Sequence, residues 1–591
     1  MTDVKWICCL TVLALVLTGC VAPPQADGTV LVSLMPTEGC IIPANGQRVE
    51  PGEDALFELA LEPGYAISRV DYDGEYEYFV QNGREYLRLC RVRYPTRVRL
   101  VLTNRFNTIR YEPNGGQGEA LTRSYDLRLR SRPNTELGTD RFSREGYTLI
   151  GWNTAPDGTG QQVGLGSRVS IPAEGLTLFA QWARWSEAGN FSFRREGENL
   201  VIIGYSGTEP VLAVPQRCGG RTVTAIAAGA FAHCPARTVI LPPSLQTVEA
   251  GAFSGSAVQE LVLFDSIDTI SAAAFSDCAA LQTLRINAVE KPWGYDYRKE
   301  TCLADKADLL IEAQGQRKLV FYGGCSVWYN LDGEYARRQL GQQYRLINAG
   351  VNGFINSALQ MQIITACMEP GDLFFHTPEL SSRTQLMQVT DFGNQDDKLW
   401  CGLELNYDLL TLVDARDFPG LLDSWNRWQQ FRQHTGSYDG CYRDEQGRLY
   451  LDGSGSIPFY REEQVLPLQD RVVLDPALLQ PQAMQQLESY YDALARRGVR
   501  VYVSYACVNL DALSPQQRQN VEPVDAAMHD YFARMDSAVL ISHLSDYCYG
   551  NGDFYDTNYH LLSQPAYDNT VRWLRDLKAQ MQADGIWLTQ S

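Results

Sequence analysis

The chain has 591 residues, of which 45% are hydrophobic and 20% are charged, and its formal net charge is −19. At about 100–200 residues per domain this length predicts several domains, and the apolar content excludes bulk disorder. The negative charge disfavours nucleic acid and anionic membrane surfaces as partners, because both select basic patches.

Residues 1–19 are predicted to be an export signal. Lys5 precedes an apolar run over residues 6–17, which is shorter than the about 20 residues that span a bilayer. The run ends in Leu-Thr-Gly-Cys20, which resembles the bacterial lipobox. The resemblance implies that Cys20 begins the mature protein, carries a lipid and anchors the chain to the extracellular face of the cell membrane. An ordinary secretory signal is the alternative.

A spacer over residues 20–28 leads to a predicted small β module over residues 29–105. The module shows short β-type runs that are separated by Pro-Gly and Asn-Gly turns. Export permits disulfides, and Cys40 and Cys90, which flank this module, are a candidate pair. The chain has no Cys-x-x-Cys pair, so we expect neither a metal nor a redox cofactor.

Residues 106–184 contain an ordered set of glycine and tryptophan motifs. Residues 111–116 read Tyr-Glu-Pro-Asn-Gly-Gly, residue pairs Gly151-Trp152 and Gln181-Trp182 follow, and the glycines suit tight turns. The set resembles the internalin-type B repeat of bacterial surface proteins. That resemblance implies a spacer or a weak binding unit, in which the large aromatic rings fill a small core.

Residues 185–288 contain an internal repeat. Ala-Phe pairs ending at Phe231, Phe253 and Phe275 recur every 22 residues, and a leucine-containing strand follows each pair. The pattern resembles the BspA-type leucine-rich repeats, which implies a short solenoid in which each unit buries the apolar face of the next. Binding of a host or cell-wall partner and a rigid spacer are both open as its role. A connector follows over residues 289–317.

Residues 318–591 alternate strands with amphipathic helices, which predicts an α/β domain. A buried strand ends in Gly324-Cys325-Ser326-Val327, which resembles the Gly-Asp-Ser-Leu motif of the SGNH hydrolases, with cysteine in place of aspartate. The resemblance implies a three-layer, flavodoxin-like α/β fold with a mainly parallel sheet, and it makes Ser326 the nucleophile. A register shifted by one residue would make Cys325 the nucleophile instead.

Two further motifs of that family precede the C-terminal one. Asn-Ala-Gly-Val-Asn352-Gly353 matches the second block, in which the backbone N–H of the last glycine lines the oxyanion hole. The third block expects an asparagine as oxyanion donor, but this chain has Glu379 near that place, and an ionised carboxylate cannot donate. Glu379 and Asn352 remain candidates for substrate binding, and Glu379 could also orient a neighbour.

The last block supplies the predicted base. Asp556-Thr-Asn-Tyr-His560 resembles the Asp-x-x-His of the family with one extra residue. The resemblance implies that His560 takes the proton of the nucleophile while Asp556 holds the imidazole in its productive tautomer. His529 and His543 show no ligand spacing and are interpreted as surface or core residues. The aromatic stretch over residues 391–469 is predicted to form a lid or a substrate wall.

The favoured interpretation is a cell-surface ester hydrolase, which acts on acyl esters and includes glycan deacetylation among its candidate reactions. An acyltransferase that uses the same residues is closely related. The alternative is a non-catalytic adhesion or glycan-binding protein that carries a degenerate hydrolase domain, because the third-block asparagine is missing.

Overall fold

Contacts within the chain define two compact units, Met1–Leu102 and Thr103–Ser591. A computed structural model describes residues 28–37, 39–62, 65–81, 84–104, 106–126, 132–139, 141–172, 174–289, 303–340, 343–351, 356–380, 396–432, 454–456, 461, 463–469, 472–479 and 481–588. The predicted signal and Cys20 lie outside the described residues. Within those ranges no helix has the length and apolarity needed to cross a bilayer.

The first unit consists of two four-stranded sheets. Strand residues alternate between buried and exposed, as in β4, so each sheet turns one apolar face to a shared core. The strand orders are β3-β1-β8-β5 and β2-β4-β7-β6. The strands are β1 (Val30–Leu34), β2 (Cys40–Ile41), β3 (Gly46–Val49), β4 (Glu53–Leu61), β5 (Tyr65–Asp71), β6 (Tyr76–Gln81), β7 (Arg84–Val92) and β8 (Thr96–Asn104).

Cys40 and Cys90 are both free thiols, so the disulfide suggested from the sequence is not formed. Cys40 belongs to β2 and Cys90 to β7, and these strands lie on opposite sides of β4. Two strand spacings amount to about 9–10 Å, whereas disulfide-bonded residues have Cα atoms within about 7 Å.

The second unit begins with a five-stranded sheet of order β10-β9-β13-β11-β12. The tryptophans of the Gly-Trp and Gln-Trp residue pairs both donate hydrogen bonds to backbone oxygens. Trp152 Nε1 donates to Glu136 O at 2.9 Å, and Trp182 Nε1 donates to Pro113 O at 2.8 Å. Gly116 lies against the Trp182 ring, where any Cβ would collide with it. The strands are β9 (Phe106–Glu112), β10 (Leu121–Asp126), β11 (Tyr147–Asn153), β12 (Gln162–Val163) and β13 (Leu176–Arg184).

The repeats form a short solenoid. The phenylalanines of successive repeats stack face to face, with ring centroids 4.8 Å apart for Phe231 and Phe253 and 5.0 Å apart for Phe253 and Phe275. Parallel strands stack in the orders β16-β19-β21-β23 and β15-β18-β20-β22, the latter extended by β14 and β17. The strands are β14 (Phe191–Glu196), β15 (Asn199–Tyr205), β16 (Val211–Ala213), β17 (Arg217–Cys218), β18 (Arg221–Ile226), β19 (Thr238–Ile240), β20 (Thr247–Val248), β21 (Glu260–Phe264), β22 (Thr269–Ile270) and β23 (Thr283–Asn287).

The C-terminal region contains a five-stranded parallel sheet of order β25-β24-β26-β27-β29, with helices packed against it. A separate pair, β28 and β30, is also parallel. The chain reverses direction across the sheet after β25, so right-handed crossovers place the helix over residues 333–340 on one face and the helices over residues 357–367, 481–496 and 521–532 on the other. The C-terminal helix over residues 563–583 packs against the helix over residues 333–340. The strands are β24 (Lys318–Gly323), β25 (Arg345–Asn348), β26 (Leu373–Thr377), β27 (Arg500–Val503), β28 (Val508–Asn509), β29 (Ala538–Leu540) and β30 (Cys548–Tyr549).

The helices of this region vary from one turn to more than five. The α-helices are α1 (Leu303–Glu312), α2 (Cys325–Asn330), α3 (Gly333–Leu340), α4 (Ser357–Cys367), α5 (Asp396–Glu404), α6 (Phe418–Arg432), α7 (Pro481–Arg496), α8 (Pro515–Arg518), α9 (Val521–Phe532) and α10 (Ser563–Ala583). Short 3₁₀ helices cover Ala188–Asn190, Ala272–Phe275, Tyr407–Leu412, Ala415–Asp417, Pro476–Leu478, Leu510–Ala512, Leu544–Tyr547 and Asn551–Asp553.

Helix α6 covers the open end of the solenoid. The side chain of Asn426 accepts the N–H of Ile270 at 2.8 Å and donates to its carbonyl at 2.7 Å, as a next repeat would. Trp425 is buried and its Nε1 donates to Ile267 O at 3.1 Å. Residues 396–432 of the aromatic stretch, including Trp400 and Trp428, therefore form a cap on the solenoid instead of the predicted lid or substrate wall.

Buried ion pairs join the tryptophan-containing sheet to the α/β region. Arg168, which has no exposed side-chain surface, pairs with Asp305 of α1 at 3.1 Å. Arg132 and Arg168 both also pair with Asp308, which lies one turn further along α1. These pairs and the cap explain why residues 103–591 form one compact unit although the sequence predicts several modules.

Strand β26, which pairs with β24, carries a buried histidine. His376 of β26 has its Nδ1 2.7 Å from the hydroxyl of Tyr491 on α7, and its ring lies 5.2 Å from that of Tyr322. Burial lowers the pKa of His376 to about 3. The imidazole is therefore neutral in the folded state at neutral pH, and it packs between the sheet and Tyr491 of α7.

Removing the Trp425 ring should destabilise the second unit. We expect Trp425→Ala to cost about 3–5 kcal/mol, because it leaves a cavity between the solenoid and its cap and removes the donor to Ile267. The measurement is urea unfolding followed by circular dichroism. Asp423→Ala, on the exposed face of the same helix, is the control and should change stability by less than about 0.5 kcal/mol. Equal unfolding midpoints for the two variants would contradict the capping role.

His376 should contribute an acid-dependent loss of stability. Its pKa is lowered from 6.5 to about 3 in the folded state, so the unfolded chain binds the proton first as the pH falls. The contribution is complete above pH 6.5 and decreases toward pH 3 by about 1.4 kcal/mol per pH unit. We expect the stability of wild type to fall more steeply than that of His376→Gln between pH 7 and about 5. A constant difference between the two proteins across this range would refute the assignment.

Candidate active site

The candidate site lies at the carboxyl ends of three neighbouring strands. Ser326 follows β24, Asn348 ends β25 and Glu379 follows β26, and β24 is the strand at which the order of the sheet reverses. Crevices at such a reversal are where open α/β sheets bind ligands. Gly324 leaves room for the Glu379 carboxylate, which a Cβ at this position would displace.

Ser326 is the second residue of helix α2 and has no exposed surface. Its backbone N–H donates to Glu379 Oε1 at 3.1 Å. Its hydroxyl oxygen has no hydrogen-bond partner within the part of the chain that the structure describes, and no hydrogen bond there joins it to His560. The hydroxyl is thus available to a base, and any molecule that reacted with it would have to open the site first.

Glu379 orients the start of α2. Besides accepting the Ser326 N–H, its Oε1 is 4.0 Å from the Cys325 thiol, which is partly exposed. Burial, followed by the negative charge of Glu379, raises the pKa of the Cys507 thiol well above its ordinary value. The Glu379 carboxylate therefore accepts the hydrogen bond of the Ser326 N–H. The SGNH resemblance implies an asparagine at this position, whose amide would donate to the oxyanion.

Asp556 and His560 form a hydrogen-bonded pair. The Nδ1–H of His560 donates to Asp556 Oδ1 at 2.7 Å, which leaves Nε2 as the basic nitrogen. Burial acts to raise the pKa of Asp556, but the hydrogen bond and the charge of His560 outweigh it and hold that pKa below its ordinary value. The extra residue in this motif is accommodated by a turn, which the Tyr555 N–H closes on His560 O at 2.7 Å.

The histidine is attached to the helix that carries Ser326. The Tyr329 ring stacks on the His560 imidazole, with centroids 3.6 Å apart and planes 3° apart. Tyr329 follows Ser326 by three residues, so both lie on one side of α2. Asn330 donates to Tyr559 O at 2.8 Å and accepts the Leu561 N–H at 2.8 Å, which brackets His560 from both sides.

The second block of the resemblance is described only in part. Asn348 is buried, donates to Val327 O at 3.1 Å and accepts the Gly350 N–H at 3.0 Å. A Cβ on Gly350 would lie 2.8 Å from the Trp328 nitrogen, so this glycine permits close packing on α2. Asn352 and Gly353, the predicted substrate-binding and oxyanion residues, lie outside the described residues.

Sequence analysis did not identify the residues that join α2 to the histidine turn. These are Tyr329, Asn330 and the buried Arg461, whose guanidinium donates to Tyr329 O and to Leu561 O at 2.5 and 3.1 Å. Asn330 is a polar residue in an otherwise apolar helix, which is a usable signal. Arg461 has none, because its partners are backbone atoms about 100 residues or more away.

Comparison with known proteins confirms the repeats. Residues 220–293 match the BspA type leucine rich repeat region in six copies. A stretch of 49 residues, 8% of this chain, is 49% identical to a "putative membrane protein" of Evansella cellulosilytica and spans 7% of its length. The crystal structure of the T. pallidum leucine rich repeat protein is similar at 19% identity and a TM-score of 0.12, over 17% of this chain and 71% of that one. This chain thus contains BspA-type leucine-rich repeats, followed by a region of helices and parallel strands.

Proposed function

We propose that the α/β region is an SGNH-type serine ester hydrolase displayed at the bacterial cell surface. The observation that carries the proposal is the Asp556–His560 pair, 2.7 Å apart, which packs against α2, the helix that contains Ser326. A histidine that is oriented by a carboxylate activates a serine when its free ring nitrogen reaches the serine hydroxyl.

In this reaction His560 Nε2 takes the proton of Ser326 Oγ while Oγ attacks the ester carbonyl carbon. The bond to the alcohol oxygen breaks, and the alcohol leaves with the proton from His560. A water then gives its proton to His560 and its oxygen to the acyl carbon, which releases the acid and restores Ser326. Asp556 stays ionised and stabilises the imidazolium in both halves.

In the proposed reaction, Glu379 has to move away from the Ser326 N–H before this N–H can bind the oxyanion. The Ser326 N–H, which would bind the oxyanion, is occupied by the Glu379 carboxylate. The carbonyl oxygen of the substrate would replace Glu379 Oε1 on this N–H, and the resemblance assigns a second donor to the N–H of Gly353. Glu379 would then accept a hydrogen bond from a hydroxyl group of the substrate. An acylated glycan has such hydroxyl groups, so it is favoured over a simple ester.

The repeats would display this domain outside the cell. A lipid on Cys20 would anchor the chain, and the sheet over residues 106–184 would serve as an internalin-type B repeat that acts as spacer. The leucine-rich repeats would bind a host or cell-wall partner, as adhesion-like repeats do. Since the cap joins solenoid and α/β region, such a partner would be held at a constant distance from the ester substrate.

A non-catalytic glycan-binding protein is the second candidate. Two observations favour it: Ser326 has no exposed surface, and the carboxylate of Glu379 takes the serine N–H. In this case the crevice would bind a substrate-like glycan without cleaving it.

The test is hydrolysis of a chromogenic acetyl ester and of acetylated glycans by the chain that starts at residue 21. We expect Ser326→Ala and His560→Ala each to lower kcat/KM at least about 1,000-fold, because each removes part of the activated nucleophile. Cys325→Ala is the matched control and should keep its activity. Glu379→Gln should raise kcat, because it replaces the competing charge by an amide donor.

The outcomes separate the two functions and the two registers. Activity lost in Cys325→Ala but kept in Ser326→Ala would assign the nucleophile to Cys325. Turnover by wild type no faster than by Ser326→Ala on all esters would reject hydrolysis, and saturable binding of an acetylated glycan would then support the second candidate.

A further inference from the structure

Three potential metal ligands lie close together near β29, the edge strand of the C-terminal sheet opposite β25. They are Asp525 and His529 of α9 and His543, which follows β29. Their ligand atoms all lie within 4.8 Å of one another. We propose that these three residues bind a divalent transition-metal ion of the Zn²⁺ type, independently of the proposed ester hydrolysis.

The fold brings the three side chains together. Asp525 and His529 are four residues apart and therefore lie on one side of α9, while Val524, Met528 and Phe532 form its buried side. His543 comes from the turn after the edge strand β29, against which α9 packs. Two ligands from one helical turn and a third from a neighbouring loop form a site on rigid elements.

The distances fit a tetrahedral ion. Asp525 Oδ2 lies 2.9 Å from His543 Nδ1, and Asp525 Oδ1 lies 3.6 Å from His529 Nε2. An ion about 2.0–2.1 Å from each ligand holds neighbouring donor atoms about 3.3 Å apart, which falls between these two values. Small rotations of the side chains would therefore be enough to coordinate the ion.

His529 supplies an independent observation. Its Nε2 is buried and has no hydrogen-bond partner among the residues described, although the nitrogen faces Asp525. A buried nitrogen left without a hydrogen bond is costly, and coordination of a metal would satisfy it. The Leu544 N–H donates to Asp525 Oδ1 at 2.9 Å, which orients the carboxylate as outer hydrogen bonds do in metal sites.

The ligand types select the metal. Two imidazoles and one carboxylate suit zinc, cobalt and nickel better than calcium or magnesium, which prefer all-oxygen sites. The His543 side chain is 68% exposed, so the fourth position of the ion is open to water. The nearby Cys548 thiol donates to Leu544 O at 3.4 Å and is not one of the three ligands.

The experiment is calorimetric titration of the chain from residue 21 with Zn²⁺, together with the visible spectrum of the Co²⁺ form. We expect one site per chain, a Co²⁺ spectrum of tetrahedral nitrogen and oxygen ligation, and a higher melting temperature with metal. His529→Gln and His543→Gln should each weaken Zn²⁺ at least about tenfold and remove the shift in melting temperature. His233→Gln, in the solenoid, is the control and should bind as wild type does.

Three results would overturn the proposal. These are no Zn²⁺ binding by wild type, equal affinity in wild type and both histidine variants, or an intense near-ultraviolet band of the Co²⁺ form, which marks thiolate ligands. Because Ser326→Ala leaves all three ligands in place, its Zn²⁺ affinity should equal that of wild type whether or not the ester hydrolysis is correct.

Discussion

A stack of parallel repeats ends in unpaired backbone groups and an apolar face, and the rest of this structure depends on how that end is closed. Asn426 satisfies both the N–H and the carbonyl of Ile270, and Trp425 covers the core behind them. The helix that provides these residues belongs to a long insertion between β26 and β27 of the parallel sheet. One hydrophobic cluster therefore contains residues of both the solenoid and the α/β region. Separating the two would expose apolar surface on each.

The same principle of shared polar contacts positions the candidate site. A single amide, Asn330, binds the backbone on both sides of His560, and the Tyr329 ring packs on its imidazole. Both residues come from α2, the helix that contains Ser326, so the proposed nucleophile and the proposed base are positioned by one element. Glu379 completes the arrangement by accepting the hydrogen bond of the Ser326 N–H, and it is the group that the proposed ester substrate would displace.

The local pattern was enough to predict the periodic parts of the fold. The 22-residue spacing of Phe231, Phe253 and Phe275 predicted the stacked repeats, because each ring needs the next to cover it. The Asp556-to-His560 motif likewise identified two residues that do form a hydrogen bond. The aromatic stretch was misinterpreted, since tryptophans on an isolated sequence look alike whether they face a substrate or a solenoid. Arg461 and Asn426 act on distant backbone atoms, and no local spacing reports such contacts.

We propose that His560 activates Ser326, and covalent trapping tests this proposal even though the ester substrate is not known. The chain from residue 21 would be incubated with a fluorophosphonate, which loses fluoride when an activated hydroxyl attacks its phosphorus, and then analysed by intact and peptide mass spectrometry. If His560 activates Ser326, wild type forms one adduct per chain on the peptide that contains Ser326, and His560→Ala forms none. An unmodified wild-type chain, or an adduct that forms equally well in His560→Ala, would contradict it.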